Sequence, residues 1–321
     1  MKDLNTQTAV LSEANDKMPA LFYFESAPRK REQTARGMPF LITFLQQTTR
    51  METIRTGTKG EIVKTLQQLL TENGYQAAPD GIFGEATSQA VRAFQRRQEL
   101  AADGIVGYRT WEALYFSRRN QGTRLTRDDY ERTARLIGCS TAALMAVKEV
   151  ETGSQGGFLP SGKPVILFEG HIFWNQLKQR GIDPEACRAG HEDILYPSRN
   201  RKYYLGGEAE HDRLERARKI DREAADASAS WGMFQIMGFN HVACGEQTVA
   251  GFVEMMSRSE LHQLLLSARF IYNFRTKAGG RVLVEALKET DWSTFARYYN
   301  GPDYASNHYD TKLADAYEKY R

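Results

Sequence analysis

The feature that most narrows what this chain can fold into is a five-residue segment written twice. Asp80-Gly81-Ile82-Phe83-Gly84 returns as Asp103-Gly104-Ile105-Val106-Gly107, and each copy runs on to a threonine, Thr87 or Thr110. A short segment repeated in this way marks one supersecondary unit used twice. Asp-Gly supplies a turn whose glycine tolerates positive φ. The apolar residue that follows is expected to plug inward, and the threonine falls near the first turn of a helix. Around the repeats, Ile62, Leu66, Leu69 and Leu70, and again Ala90, Val91 and Phe94, recur at helical spacing. That spacing predicts two amphipathic helices with a shared apolar side, so residues 53–117 read as a three-helix mini-domain.

Leu66-Gln67, Gly74, the two repeats and Phe94-Gln95 together resemble the common peptidoglycan-binding module of bacterial wall hydrolases. Most of those positions are scaffold. The resemblance therefore implies peptidoglycan as the partner of the module as a whole and names no single ligand contact.

A chain of 321 residues exceeds the usual length of one domain, so a second, larger domain with its own core is expected. Hydrophobic residues at 41% and charged residues at 26% are ordinary for a globular protein. No run of about eighteen apolar residues exists to cross a bilayer as a helix. A formal charge of +3 is far from the concentrated basic field that nucleic-acid binding by counterion release needs, so no nucleic-acid partner is expected. Cys139, Cys187 and Cys244 are odd in number and form no CxxC pair, and the six histidines include no HExxH spacing. Neither a disulfide framework nor a metal site nor a cofactor is expected.

Residues 1–52 stand apart, with basic Arg29, Lys30 and Arg31 ahead of a short apolar run over 39–45. That run starts late and lacks a small-residue cleavage site, so it does not read as a signal peptide; the segment is expected to be a disordered extension. The polar stretch Ser-Arg-Arg-Asn-Gln-Gly-Thr assigns 118–124 to a linker. From 125 to 321 the pattern is mainly helical, with helices expected at 127–137, 140–150, 171–180, 208–225, 246–255, 259–277, 280–288 and 291–299. Residues 164–168 are the best candidate for a strand of a minor β-hairpin. The charged stretch 208–222 reads as a solvated amphipathic helix.

The stretch 142–153 is an apolar helix that ends on Glu149 and Glu151 before Gly153. A carboxyl group at the end of a buried helix is partly desolvated, which favours its protonated form and suits a general acid near neutral pH. Val147 and Glu151 are one helical turn apart, so Glu151 lies on the core face and Glu149 off it. Periodicity favours Glu151, against the alternative of a merely solvated helix terminus.

Glu151-Thr152 after that helix, then Gly232-Met233-Phe234-Gln235-Ile236, then Tyr299-Asn300-Gly301, resemble the ordered motif trio of the goose-type lysozyme and soluble lytic transglycosylase superfamily. The insert with Leu167-Phe168-Glu169-Gly170-His171 resembles the N-acetylmuramidase family found in phage endolysins. The likeness spans 125–321 and implies an α-rich lysozyme-like domain. It also implies cleavage of the β-1,4 bond between N-acetylmuramic acid and N-acetylglucosamine, and no cofactor. By this likeness Glu151 is the catalytic acid, Gln235 lines the glycan cleft, and Tyr299 and Asn300 approach the acid and the sugar. Glu169 is a second acidic candidate that would position water or stabilise developing charge, or else a structural carboxylate bonded to His171. Trp231 and Phe234 are candidates for stacking on sugar faces, with core packing as the alternative, and the same choice holds for Tyr298, Tyr304 and Tyr309.

Two other readings stay open: a lytic transglycosylase giving 1,6-anhydro products, and a wall-binding structural protein without catalysis. A monomer is expected, accumulating in the cytoplasm until a holin-type lesion admits it to the wall.

Overall fold

The computed structural model describes residues 52–117, 124–153, 156–276 and 278–321. The expected extension over 1–52 and the expected linker over 118–124 lie, but for their last residues, outside the described residues.

The small module is built from α1 (Glu61–Glu72), α2 (Glu85–Arg97) and α3 (Tyr108–Phe116). Val63, Leu66 and Leu70 from α1, Val91 and Phe94 from α2, and Trp111 and Leu114 from α3 close one apolar core. The repeat does form the turn that opens each following helix, with Gly81 and Gly104 at φ 76° and 74°. The plug, however, is the second apolar residue of each copy. Ile82 and Ile105 remain 49% and 36% exposed, while Phe83 and Val106 are 1% and 0% exposed. The reason is local: the positive-φ glycine turns the isoleucine outward, and in extended chain the next side chain points the opposite way.

Each turn is held by a glutamine from the preceding helix. Gln67 Nε2 donates to Asp80 Oδ1, the Ile82 carbonyl and Thr87 Oγ1 at 2.7, 3.2 and 3.1 Å, while its Oε1 accepts from Gly81 N–H at 2.9 Å. Gln95 repeats the arrangement with Asp103, Ile105, Thr110 and Gly104 at 3.1, 2.9, 3.2 and 3.0 Å. Both side chains are 1% exposed, so burial is matched by four hydrogen bonds each.

The larger domain begins with α4 (Arg127–Ile137), opened by a Thr126–Asp129 capping box and closed by Gly138 in the left-handed conformation. Then come α5 (Thr141–Thr152), β1 (Ile166–Phe168), α6 (Gly170–Gln179), α7 (Glu208–Arg218), α8 (Arg222–Ala227), β2 (Ala229–Trp231) and β3 (Ile236–Met237). They are followed by α9 (Val249–Met256), α10 (Glu260–Asn273), α11 (Val282–Glu289), α12 (Trp292–Tyr299) and α13 (Tyr309–Tyr320). The domain is mainly α, with one three-stranded antiparallel sheet in the order β1-β2-β3, in which Ile166 pairs with Trp231 and Trp231 with Ile236. α10 is the central element: every residue from Leu261 to Ile271 is buried, so it is enclosed on all sides.

Two sequence expectations change. The helix expected over 208–225 is broken into α7 and α8 because Asp221 accepts from Ala224 N–H and caps a new start. That stretch is also not simply solvated. Glu210 and Arg213 are buried at 0% and 2% exposure and pair at 2.7 Å; Glu210 accepts from Phe168 N–H, and Arg213 donates to the Phe168 carbonyl, both at 3.0 Å. This pair fixes the end of β1, and therefore the start of the segment that carries Glu169.

The two domains share an interior. Leu136, Leu261 and Leu265 of the larger domain belong to the module's apolar core. Beside them Arg269 of α10, 3% exposed, clamps both carboxylate oxygens of Glu112 on α3 and donates to Glu246 Oε1 at 2.9 Å. Neither charge would be tolerated there alone.

Candidate functional site

Ser140 caps the start of α5 by accepting from Ala143 N–H at 3.1 Å, and Ala143, Leu144 and Val147 bury one face of the helix. The stripe delivers Glu151 into a site closed by the last helix. α13, absent from the sequence expectation, packs along α5, and its first residue Tyr309 donates its hydroxyl hydrogen to Glu151 Oε1. Burial pushes the Glu151 carboxyl up to about 7, and the Tyr309 hydrogen bond only partly offsets that rise.

Glu149, two residues earlier, has the opposite fate. Lys319 and Tyr320 donate to its two oxygens at 2.8 and 2.6 Å and hold its carboxyl below the ordinary carboxylate range. Two glutamates on the last turn of one helix are thus driven apart in acidity, by burial without a cation in one case and by a lysine in the other.

The other two motifs converge on the same place. Tyr299 is 4% exposed, stacks on Phe295 with centroids 5.0 Å apart, and donates to the Phe234 carbonyl at 3.0 Å. Its hydroxyl is raised well above its usual value by burial and by the nearby Glu151 carboxylate. Asn300 forms the end of α12, is 5% exposed, and its Oδ1 has no hydrogen-bond partner among the described residues.

Gln235 and Trp231 are placed differently from the cleft-lining expectation. Gln235, in the left-handed region at φ 48°, accepts from the Ser230 hydroxyl at 2.8 Å and donates to the Gly232 and Val165 carbonyls at 2.8 and 3.4 Å. Its side chain ties the β2–β3 loop to the strand before it. Trp231 is 2% exposed and donates its indole N–H to the Asp226 carbonyl at 3.1 Å, so both ring faces are enclosed in the core. Phe234, 1% exposed, is likewise core.

Glu169 stands at the junction of β1 and α6 and is 7% exposed. Tyr204 donates to its Oε2, and His171 Nδ1 lies 3.2 Å from the same oxygen. Burial alone would raise this carboxyl, but His171, Tyr204 and Arg199 outweigh it and hold the group below the ordinary range. Glu151 is therefore set up to carry a proton, and Glu169 to carry charge.

One organising residue escaped the sequence reading. Gln263 of α10, 0% exposed, accepts from Met233 N–H at 2.8 Å and donates to the Gly157 and Met256 carbonyls at 3.1 and 2.9 Å. It joins the loop that follows Glu151 to the β2–β3 loop. A Cβ on Gly157 would stand 1.7 Å from its Oε1, and one on Gly232 2.7 Å from its Cδ, so glycine is required at both positions. The signal was there: a lone amide inside the apolar run Leu261-His262-Gln263-Leu264-Leu265-Leu266 has to find partners.

Residues 140–321 match the model of the N-acetylmuramidase family, and residues 59–114 match that of the putative peptidoglycan binding domain. The crystal structure of a Burkholderia AP3 phage endolysin superimposes with a TM-score of 0.55 at 40% identity, covering 84% of this chain and 99% of that one. The zinc D-Ala-D-Ala carboxypeptidase of Streptomyces albus G is 44% identical over 66 residues, 20% of this chain and 26% of that protein. The N-acetylmuramoyl-L-alanine amidase CwlM of Mycobacterium tuberculosis is 35% identical over 112 residues, 35% of this chain and 23% of that protein. The chain thus spans about a quarter of the length of these curated relatives.

Proposed function

This chain belongs to the N-acetylmuramidase family, and from that premise we propose that it is a peptidoglycan hydrolase that cleaves the β-1,4 bond between N-acetylmuramic acid and N-acetylglucosamine. The observation that carries this reading is the placement of Glu151, at the end of an apolar helix face with Tyr309 as its hydrogen-bond donor. A glycosidic oxygen leaves poorly until protonated, and Glu151, pushed up to about 7 by burial, stays protonated in a substantial fraction of molecules near neutral pH and can give up that proton as the bond breaks. Tyr309 orients the carboxyl and stabilises the carboxylate left behind, since its hydrogen bond favours the charged form. Tyr299, held by its hydrogen bond to the Phe234 carbonyl, lies near enough to Glu151 for the two groups to interact electrostatically.

Glu169, kept ionised, supplies the negative charge that would steady an oxocarbenium-like centre or take a proton from water. A specific observation favours a second reading. The Glu169 carboxylate already accepts from Tyr204 and lies 3.2 Å from His171 Nδ1, whereas Glu151, among the described residues, accepts from Tyr309 alone and is the acid raised toward neutral pH. One acid suffices for a lytic transglycosylase, in which the muramic 6-hydroxyl replaces water.

Mass spectrometry of digested sacculi separates the two: reducing ends carry the hydrolase, and 1,6-anhydro ends the transglycosylase. A Glu151→Gln variant that still cleared sacculi at the unaltered rate would remove both. The likeness to a phage endolysin supports a role in host lysis; action as a monomer, with cytoplasmic accumulation and holin-type release as the route to the wall, belongs to the same proposal.

A further inference from the structure

In the small module the C-terminal ends of α1, α2 and α3 converge on a cleft of about 380 Å³. That volume falls in the range of small-ligand sites and suits a short peptide or one sugar rather than a length of strand. The frame of the cleft is rigid. Asn73 Nδ2 donates to the Leu69 and Leu114 carbonyls at 2.8 and 2.9 Å, and Asn73 Oδ1 accepts from the Ser117 hydroxyl. Gly74, at φ 87°, turns the chain so that Tyr75 meets the buried Phe94 edge to face, with centroids 5.7 Å apart.

Three polar groups on this frame have no hydrogen-bond or ion-pair partner among the described residues: the Arg97 guanidinium, the Gln98 amide and the Tyr75 hydroxyl. The other polar side chains at the base, Asn73 and Ser117, are engaged within the module, Ser117 with Asn73 itself. The cleft therefore offers a planar cation, an amide and an aromatic surface, all uncommitted.

We propose that this cleft takes the carboxylate-bearing peptide stem of peptidoglycan. A guanidinium fork matches a carboxylate in two parallel hydrogen bonds, which a neutral N-acetylglucosamine ring cannot use. The Gln98 amide pairs with a stem peptide group, and the Tyr75 ring covers an alanine methyl. The inference rests on the reading of residues 59–114 as peptidoglycan-binding, and it adds which part of the polymer is held, and where.

The test uses the full chain carrying Glu151→Gln, so that sacculi persist, with two readouts. These are retention on purified sacculi, and titration with N-acetylmuramyl-L-alanyl-D-glutamate beside tetra-N-acetylglucosamine. Arg97→Glu is expected to weaken binding of the muramyl dipeptide at least tenfold, about 1.4 kcal/mol, and Tyr75→Ala by less. Arg97 is exposed, so the unfolding temperature should not move. Arg96→Glu makes the same change of charge on an exposed neighbour outside the cleft and should leave binding as it was. Equal losses from the Arg96 and Arg97 variants would overturn the cleft in favour of diffuse charge. Equal, Arg97-dependent binding of tetra-N-acetylglucosamine would overturn the peptide. Undiminished retention of both variants on sacculi defeats the inference and leaves the module's reading intact, whereas a parent chain that sacculi do not retain defeats both.

Discussion

Gln95, fully buried in the small module, and Glu151, part-buried at the end of α5, are both polar side chains carried toward the interior by an apolar helix, and they reach opposite states. Gln95 finds four hydrogen-bond partners, and the result is a frozen turn. Glu151 finds Tyr309 and, among the described residues, no cation, and the result is a carboxyl pushed up to about 7. Burial with complete satisfaction builds scaffold; burial with too few partners for the charged form builds an acid. Glu149 supplies the internal control, since it shares the helix turn with Glu151 but has Lys319.

The sharpest way to break the comparison is Glu151→Gln, which removes the proton donor and keeps the shape. Turnover of sacculi should fall by about 10² to 10⁴, the usual worth of a positioned general acid, with the unfolding temperature little changed. Next in size is Arg269→Met, which strands Glu112 and Glu246 at the domain junction. Denaturant unfolding should show a loss of about 3–5 kcal/mol, much of it recovered in the Arg269→Met, Glu112→Leu double variant. Gln95→Ala, which leaves Gly104 N–H and Thr110 without their partner, should cost about 1–3 kcal/mol and reduce retention on sacculi.

Smaller effects sharpen the electrostatics. Glu151 must be protonated to act, so activity should fall as pH rises through about 7. The raised folded-state value also means that its contribution to stability is complete below the unfolded value of 4.5 and is lost as pH rises toward about 7. Tyr309→Phe removes a hydrogen bond that favours the carboxylate, so the alkaline limb of the pH profile should move to higher pH. A limb that moved to lower pH would contradict the account. Glu149→Gln is expected to do least: activity within about twofold, and less than about 1 kcal/mol of stability, because its pairing with Lys319 is partly solvated.

Much of the scaffold was legible because it is periodic. The helices at 127–137 and 291–299, and the alignment of Glu151 with Val147, follow from residues three or four apart in sequence meeting on one face. The plug residue was misread because a single positive-φ glycine shifts which neighbour faces inward. α13 was not anticipated, because its buried stripe of Tyr309, Leu313 and Ala316 is thin among charged residues. Among the candidate site residues, Gln235 and Trp231 were recognisable as motif members, but the direction of their side chains depends on where Val165 and Asp226 come to lie.

Local order alone therefore determined the repeat, the helical faces and the choice of Glu151 over Glu149, because these depend on spacings of a few residues. The tertiary structure decided what Glu151 would become. Tyr309 and Tyr299 reach it from more than a hundred residues away, and the carboxyl's acidity depends on the solvent those chains displace and the one hydrogen bond they return. Desolvation is a property of the packed neighbourhood, and no stretch of sequence carries it by itself.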